Sequence, residues 1–132
     1  MTAIKNNLRS DLGRVRGLGS AKEGVHHWWA QRVSAIALIP LSLWFVACIV
    51  SLMDVDRATA VQWLGSPVTL GLMSLFLIAL VYHAVLGLQV VIEDYIHTTA
   101  TKLILLLLIQ FAGIGLVATG LIALLLIVLY GG

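Results

Sequence analysis

The sequence predicts an all-α membrane protein with three transmembrane helices, and three observations carry that reading. Hydrophobic residues make up 61% of the 132 residues and charged residues only 11%, too few polar side chains to cover a water-soluble domain. The mean hydropathy is +1.05. The 8 Lys+Arg and 6 Asp+Glu, with a formal net charge of +2, fall almost entirely outside the apolar runs. Those runs number three, and each is long enough to cross a bilayer.

The first runs uncharged from Val33 to Met53 between Arg32 and Asp54. Its length of about 21 residues, at about 1.5 Å of helix rise each, matches a hydrocarbon core of roughly 30 Å. Pro40 lies early in it, where neighbouring helices can satisfy a freed carbonyl. The second follows the Ser66-Pro67 turn signal, runs from Val68 to Ile92 and ends at Glu93-Asp94. At about 25 residues it crosses with some tilt. The third, Leu103 to Tyr130, starts after Lys102 and precedes Gly131-Gly132. Its roughly 28 residues imply tilt or projection beyond the bilayer. The organisation predicted is a basic N-terminal segment, residues 1–32, followed by a three-helix anchor domain, residues 33–132.

Lys5, Arg9, Arg14, Arg16, Lys22 and Arg32 all precede the first span. By the positive-inside rule they place the N-terminus in the cytoplasm and, after three crossings, the C-terminus in the periplasm. Trp28, Trp29, Trp63 and Tyr95 stand near span ends, as an aromatic belt requires. The N-terminal segment is Arg-rich and poor in acids, but the apolar run behind it exceeds a secretory h-region, so a span is expected there and not a cleaved signal. A bacterial inner membrane is the expected location, with a mitochondrial inner membrane left open by composition. The bilayer itself is a partner, and no nucleic acid is expected.

The third span is nearly pure Leu, Ile, Val, Ala and Gly, and Gly113-Ile114-Gly115 with Gly120 are expected to let another helix approach closely. Cys48, the only cysteine, lies in an apolar stretch. It offers no intramolecular disulfide and no thiolate metal site, and its expected role is packing. No G-x-G-x-x-G fingerprint is present and Cys48 stands alone, so nothing in this sequence binds flavin or an iron–sulfur cluster.

Chemistry must then come from the few polar residues at membrane depth, which are costly to bury. His83 lies ten residues before Glu93, roughly 15 Å into the bilayer by helix rise. A neutral imidazole there has a donor and an acceptor that lipid cannot satisfy, so a partner helix, a water-filled cavity or a metal must do so. Both a structural interhelical hydrogen bond and a haem ligand fit. His83, Gly87, Val90 and Asp94 recur at helical spacing along one face. The absent side chain at Gly87 leaves room for a flat macrocycle or for a close helix. At the end of the same helix, Glu93-Asp94-Tyr95 brings a phenol and carboxylates to the headgroup region. Tyrosine can donate to a quinone carbonyl and a carboxylate can relay protons, although acids and Tyr also mark span ends for no chemical reason. His26-His27-Trp28-Trp29, followed by Gln31-Arg32, opens the first span on the same side. Cations there can neutralise carboxylates of an embedded cofactor or snorkel to lipid phosphates.

The stretch from His83 to Asp94-Tyr95 resembles the second-helix motif H-x10-D-Y of the small hydrophobic membrane anchors of succinate dehydrogenase (respiratory complex II), the D-type cytochrome b anchors. Gly24-Val25-His26, with Arg32 and Ala35-Ile36, is similar to the segment that opens the first helix in that family. With three spans and a short basic N-terminus, the resemblance covers essentially the whole chain.

The resemblance implies that His83 is an axial ligand to the iron of a b-type haem, that Tyr95 hydrogen-bonds a ubiquinone carbonyl with Asp94 in support, and that His26 and Arg32 lie near the haem propionates. It implies no catalytic residue in this chain. The doublings His26-His27 and Glu93-Asp94 leave open which neighbour takes each role, and Gln89 and His97 receive none. Because His83 is the single histidine at mid-membrane depth, bis-histidine ligation needs a second haem-ligating membrane subunit. An iron–sulfur subunit and a flavoprotein would deliver electrons from succinate to ubiquinone, joining the tricarboxylic acid cycle to the respiratory chain. Two alternatives stand beside this: the anchor of a quinol-oxidising fumarate reductase, and a small proton-coupled transporter or channel subunit using His83 as its titrating group. A transporter should carry several ionisable groups along its path, and this chain places one histidine there.

Overall fold

The computed structural model describes residues 22–131. Lys5, Arg9, Arg14 and Arg16, on which the orientation rests most, lie outside the described residues. Among those described, four helices follow one another: α1 Lys22–Ser51, α2 Arg57–Leu64, α3 Pro67–Tyr95 and α4 Thr99–Tyr130. The three long ones, over Gly24–Ser51, Pro67–Tyr95 and Thr99–Tyr130, are long and apolar enough to span a membrane. All three begin earlier than the uncharged runs, and α3 also ends later, taking in Glu93, Asp94 and Tyr95. A helix need not stop where the hydrocarbon does, because its backbone bonds are internal and hold equally well among headgroups. α1, in contrast, ends at Ser51, and Leu52 to Val55 leave it through tightening turns in which Met53 N–H reaches the Val50 carbonyl at 3.3 Å.

The connection between the first and second spans carries α2, which the charge pattern alone reads as a loop. Its start is fixed by Asp56, whose carboxylate accepts from the backbone N–H groups of Ala58 (3.1 Å) and Thr59 (3.3 Å) and from the Thr59 hydroxyl (2.6 Å). This is N-capping of otherwise orphaned donors. α3 opens the same way: Ser66 caps through Thr69 N–H at 3.3 Å, and Pro67 occupies the first turn, where it needs no N–H. Only Ile96, His97 and Thr98 separate α3 from α4. Lys102 closes that connection by donating its ammonium to the Glu93 carbonyl at 2.9 Å, satisfying a terminal acceptor of α3.

The chain divides into two units, one ending at Ala30 and one starting at Gln31. In the second, α3 and α4 pack antiparallel. A Cβ placed on Gly113 would lie 2.6 Å from Val85 Cγ2, and one placed on Gly120 would lie 2.5 Å from Leu77 Cδ2. As one partner advances by seven residues the other retreats by eight. These two glycines therefore do what their type suggests, letting backbones approach. Gly115 does not: a Cβ there meets nothing within 4 Å, because its position faces away from the α3 seam. α1 also packs antiparallel on α3, through Ser34 with His83 (3.0 Å) at one end and the stacked rings of Phe45 and Phe76 (centroids 4.7 Å) at the other. Trp44 stacks on Trp63 of α2 at 6.3 Å.

Little is enclosed. Among the described residues Leu41, Cys48, Leu86 and Ile92 are the buried apolar side chains, and no large side chain is fully buried. Leu43 is 70% exposed and Phe111 likewise 70%. A helix apolar on all sides belongs among lipid or other helices. Cys48 is free and buried, as a packing role requires.

Candidate functional site along the α1–α3 seam

His83 stands a little past the middle of α3, held there because α3 runs unbroken from the Ser66 cap to Tyr95. Its ring is half-buried, and Nδ1 lies 3.0 Å from the Oγ of Ser34 on α1. Ser34 is itself buried, and its hydroxyl donates to the Gln31 carbonyl at 3.1 Å. When the hydroxyl proton serves that bond, the Ser34 oxygen accepts from Nδ1–H, the pairing of the Nδ1-protonated tautomer. The interhelical hydrogen bond expected of a membrane histidine is thus present. It engages one ring nitrogen and leaves Nε2 as the lone-pair nitrogen. Among the described residues Nε2 has no hydrogen-bond partner, and it is not enclosed by the chain.

One turn along α3, the space over Gly87 is bordered by the Gln31 amide. A Cβ at Gly87 would meet only Gln31 Nε2, at 3.7 Å, an ordinary contact. Gly87 is therefore not a close-approach glycine within this chain, unlike Gly113. The other end of the same amide, Gln31 Oε1, is buried without a hydrogen-bond partner. Burying such an acceptor costs about 1–3 kcal/mol when nothing satisfies it. Ser34 and Gln31 had no place among the candidates read from the sequence. Only the packing register of α1 on α3 reveals them.

Twelve residues further, about 18 Å by helix rise, α3 ends in Glu93-Asp94-Tyr95, all exposed. Glu93 is engaged: Oε1 accepts from the Gln89 amide at 2.9 Å, and its carbonyl receives Lys102. Asp94 makes no such bond among the described residues, and Tyr95 is 76% exposed, so a phenol and a carboxylate stand side by side at the end of the span. Gln89 and His97, left without roles by the sequence, both have structural ones, since His97 Nδ1 lies 3.2 Å from the Tyr95 carbonyl. His26, in the first unit, is exposed on the first turns of α1, while Arg32, in the second, is exposed further along it. His27 Nε2 is buried without a partner.

No group of three or more His, Cys, Asp or Glu side chains converges among the described residues. A metal at His83 would therefore need its remaining ligands from outside the described residues. A groove of about 460 Å³ between α3 and α4, lined by Tyr82, Gln110 and apolar side chains, contains none of the candidate residues. An apolar groove on a spanning helix pair is a surface for lipid or a neighbouring helix, and its size alone does not mark a site.

A family model described as succinate dehydrogenase/fumarate reductase transmembrane subunit matches residues 6–117. The chain belongs to that family. It is 34% identical to the succinate dehydrogenase hydrophobic membrane anchor subunit of Rickettsia bellii, over 82% of this chain and 86% of the relative. With the anchor subunit of Paracoccus denitrificans the identity is 32%, over 67% and 68% of the two chains. With that of Rickettsia felis it is 30%, over 89% and 93%. No solved structure matches the chain significantly. The chain is a membrane anchor subunit of that family, working in a complex with other subunits, and a multi-pass protein of a bacterial inner membrane.

Proposed function

We propose that this anchor supplies His83 as one of two axial ligands to a b-type haem and Tyr95, with Asp94, to a ubiquinone site, so that electrons from succinate reach quinone at the Tyr95 end of α3. The observation that carries the reading is the His83 ring, with Nδ1 engaged by Ser34 and Nε2 left unpartnered and open to the outside of the chain. A ring in that state suits iron ligation, since metal-bound histidines use one nitrogen for the metal and donate the other N–H to a fixed acceptor. When bound, a haem supplies one-electron redox capacity tuned by its axial ligands and its dry surroundings.

The residues of this chain then bind and orient. His26 and Arg32 serve the haem propionates, each as a donor. Tyr95 donates its hydroxyl to a quinone carbonyl, and Asp94, with no competing bond, holds or passes a proton there, while Glu93 stays occupied by Gln89. A second membrane subunit provides the other histidine. An iron–sulfur subunit and a flavoprotein dock on the cytoplasmic face, where the positive-inside rule puts the N-terminus and, by the count of crossings, the Tyr95 end.

The test is made on the purified complex. In His83→Ala the b-type signal of the reduced-minus-oxidised spectrum should disappear while all subunits still co-purify, and retention of that signal would remove His83 from the ligand set. Tyr95→Phe should lower succinate–quinone reductase activity about tenfold or more, as loss of an acid–base or orienting donor does. Succinate oxidation by an artificial dye should continue in that variant. Equal loss of both activities would instead point to failed assembly.

A further inference from the structure

We propose that Ser34 is a positioning residue for His83: its hydroxyl fixes the ring tautomer and plane so that Nε2 presents its lone pair to iron. The inference rests on the reading of His83 as a haem ligand and adds what that reading lacks, a reason within this chain for which nitrogen is free. Ser34 is buried, it belongs to a different helix from His83, and its hydroxyl lies within donating distance of the Gln31 carbonyl at 3.1 Å. Donation to that carbonyl leaves its oxygen to accept from His83 Nδ1–H, 3.0 Å away, the direction that ligation through Nε2 requires of the ring.

Three consequences follow from that direction. With the hydroxyl donating to Gln31, the proton sits on Nδ1, because an unprotonated Nδ1 would then face an oxygen lone pair across 3.0 Å. Nε2 is then the basic nitrogen, the form in which imidazole ligates metal. The ring plane is set by α1 and not by α3 alone, since Gln31 and Ser34 share a turn of α1 and their mutual bond stops the hydroxyl from rotating. Donation from Nδ1–H also pushes electron density toward Nε2, which favours the more positively charged, oxidised iron.

The experiment compares the wild type with Ser34→Ala, Ser34→Thr and His83→Ala in the complete complex. It reads the haem midpoint potential by redox titration, the low-spin ferric electron paramagnetic resonance line, and the rate of haem loss to excess apomyoglobin. Ser34→Ala should keep its haem but shift the potential upward, broaden the ferric line and lose haem about tenfold or more faster, the usual scale for removing such a partner. Ser34→Thr keeps the hydroxyl and should restore all three readouts towards wild type, which a merely space-filling role for Ser34 would not require. If Ser34→Ala matches wild type in potential, line shape and haem loss while His83→Ala loses the haem, the positioning role is overturned and the ligand assignment stands. If His83→Ala retains the wild-type haem signal, the ligand assignment falls and this inference falls with it.

Discussion

α3 has two seams, and they are finished to different degrees. On the α4 side the contact is made of Gly113 against Val85 and Gly120 against Leu77, glycine backbone against branched side chain, and among the described residues no buried polar atom there is left without a partner. On the α1 side the contact is made of Ser34, Gln31, His83 and Gly87, and it leaves one acceptor, Gln31 Oε1, buried and unmet, and one nitrogen, His83 Nε2, unpartnered. Packing of small residues is complete within a single chain, because two surfaces need only fit. Polar groups carry a count of donors and acceptors, and a seam whose count does not close is made to be completed by something from outside. On the function proposed, the closed seam builds the scaffold and the open one meets the partner or cofactor.

The largest expected effect strikes the closed seam. Gly113→Val sets branched carbon where even one Cβ would lie 2.6 Å from the β-branched, stiff Val85. It should destabilise the complex by about 2–3 kcal/mol, the upper part of the overpacking range, read as a lower midpoint in an SDS-titration unfolding curve. Gly115→Val, two residues away and facing no neighbour within 4 Å, is the matched control and should change the midpoint by under about 0.5 kcal/mol. Equal effects at both positions would mean that α3 and α4 do not meet in this register.

A smaller effect, and one whose sign is informative, belongs to the open seam. If something in the assembled complex satisfies Gln31 Oε1, Gln31→Leu removes a partner from a buried donor and should lower the unfolding midpoint of the complex by about 1 kcal/mol. If Oε1 stays unmet after assembly, leucine of similar volume relieves a buried polar group and the midpoint rises. The first outcome is expected here. The second would mean that the α1–α3 seam is as self-contained as the α3–α4 seam, and the contrast drawn between them would fail.

The two seams were unequally visible in the sequence. Three charge-free runs, Val33–Met53, Val68–Ile92 and Leu103–Tyr130, are a one-dimensional signal, and three long helices cover each of them apart from the short exit of the first at Leu52 and Met53. His83 and Tyr95 stand out because an ionisable group at depth and a phenol at a span end are costly or placed wherever they occur. Ser34 could not stand out, since its value depends on a partner 49 residues away and on how α1 is rotated against α3. The same rotation separates Gly113 from Gly115, which look alike in sequence. α2 escaped for another reason: eight residues of mixed polarity carry no span signal, and the decisive clue was the Asp56 cap with Thr59 three positions on.

That cap supplies the smallest prediction, a control lying outside both seams. Hydrogen bonds from the Thr59 hydroxyl first, and then from the Thr59 and Ala58 N–H groups, hold the Asp56 carboxyl below its ordinary value of 3.8. A lowered acid pKa means that the ionised form is the one the fold favours, so its stabilising share is whole above 3.8 and is lost as pH falls through the lowered value. Asp56 is fully exposed to solvent, so the effect should stay local, confined to the first turn of α2. Amide exchange at Ala58 and Thr59, corrected for intrinsic rates, should lose protection on acidification below that window. Asp56→Asn, which caps without titrating, should abolish this pH dependence and leave the haem spectrum and the unfolding midpoint of the complex unchanged. A shift in either of those two readouts would tie α2 to the seams, and Trp63, stacked on Trp44 of α1, would be the route to examine next.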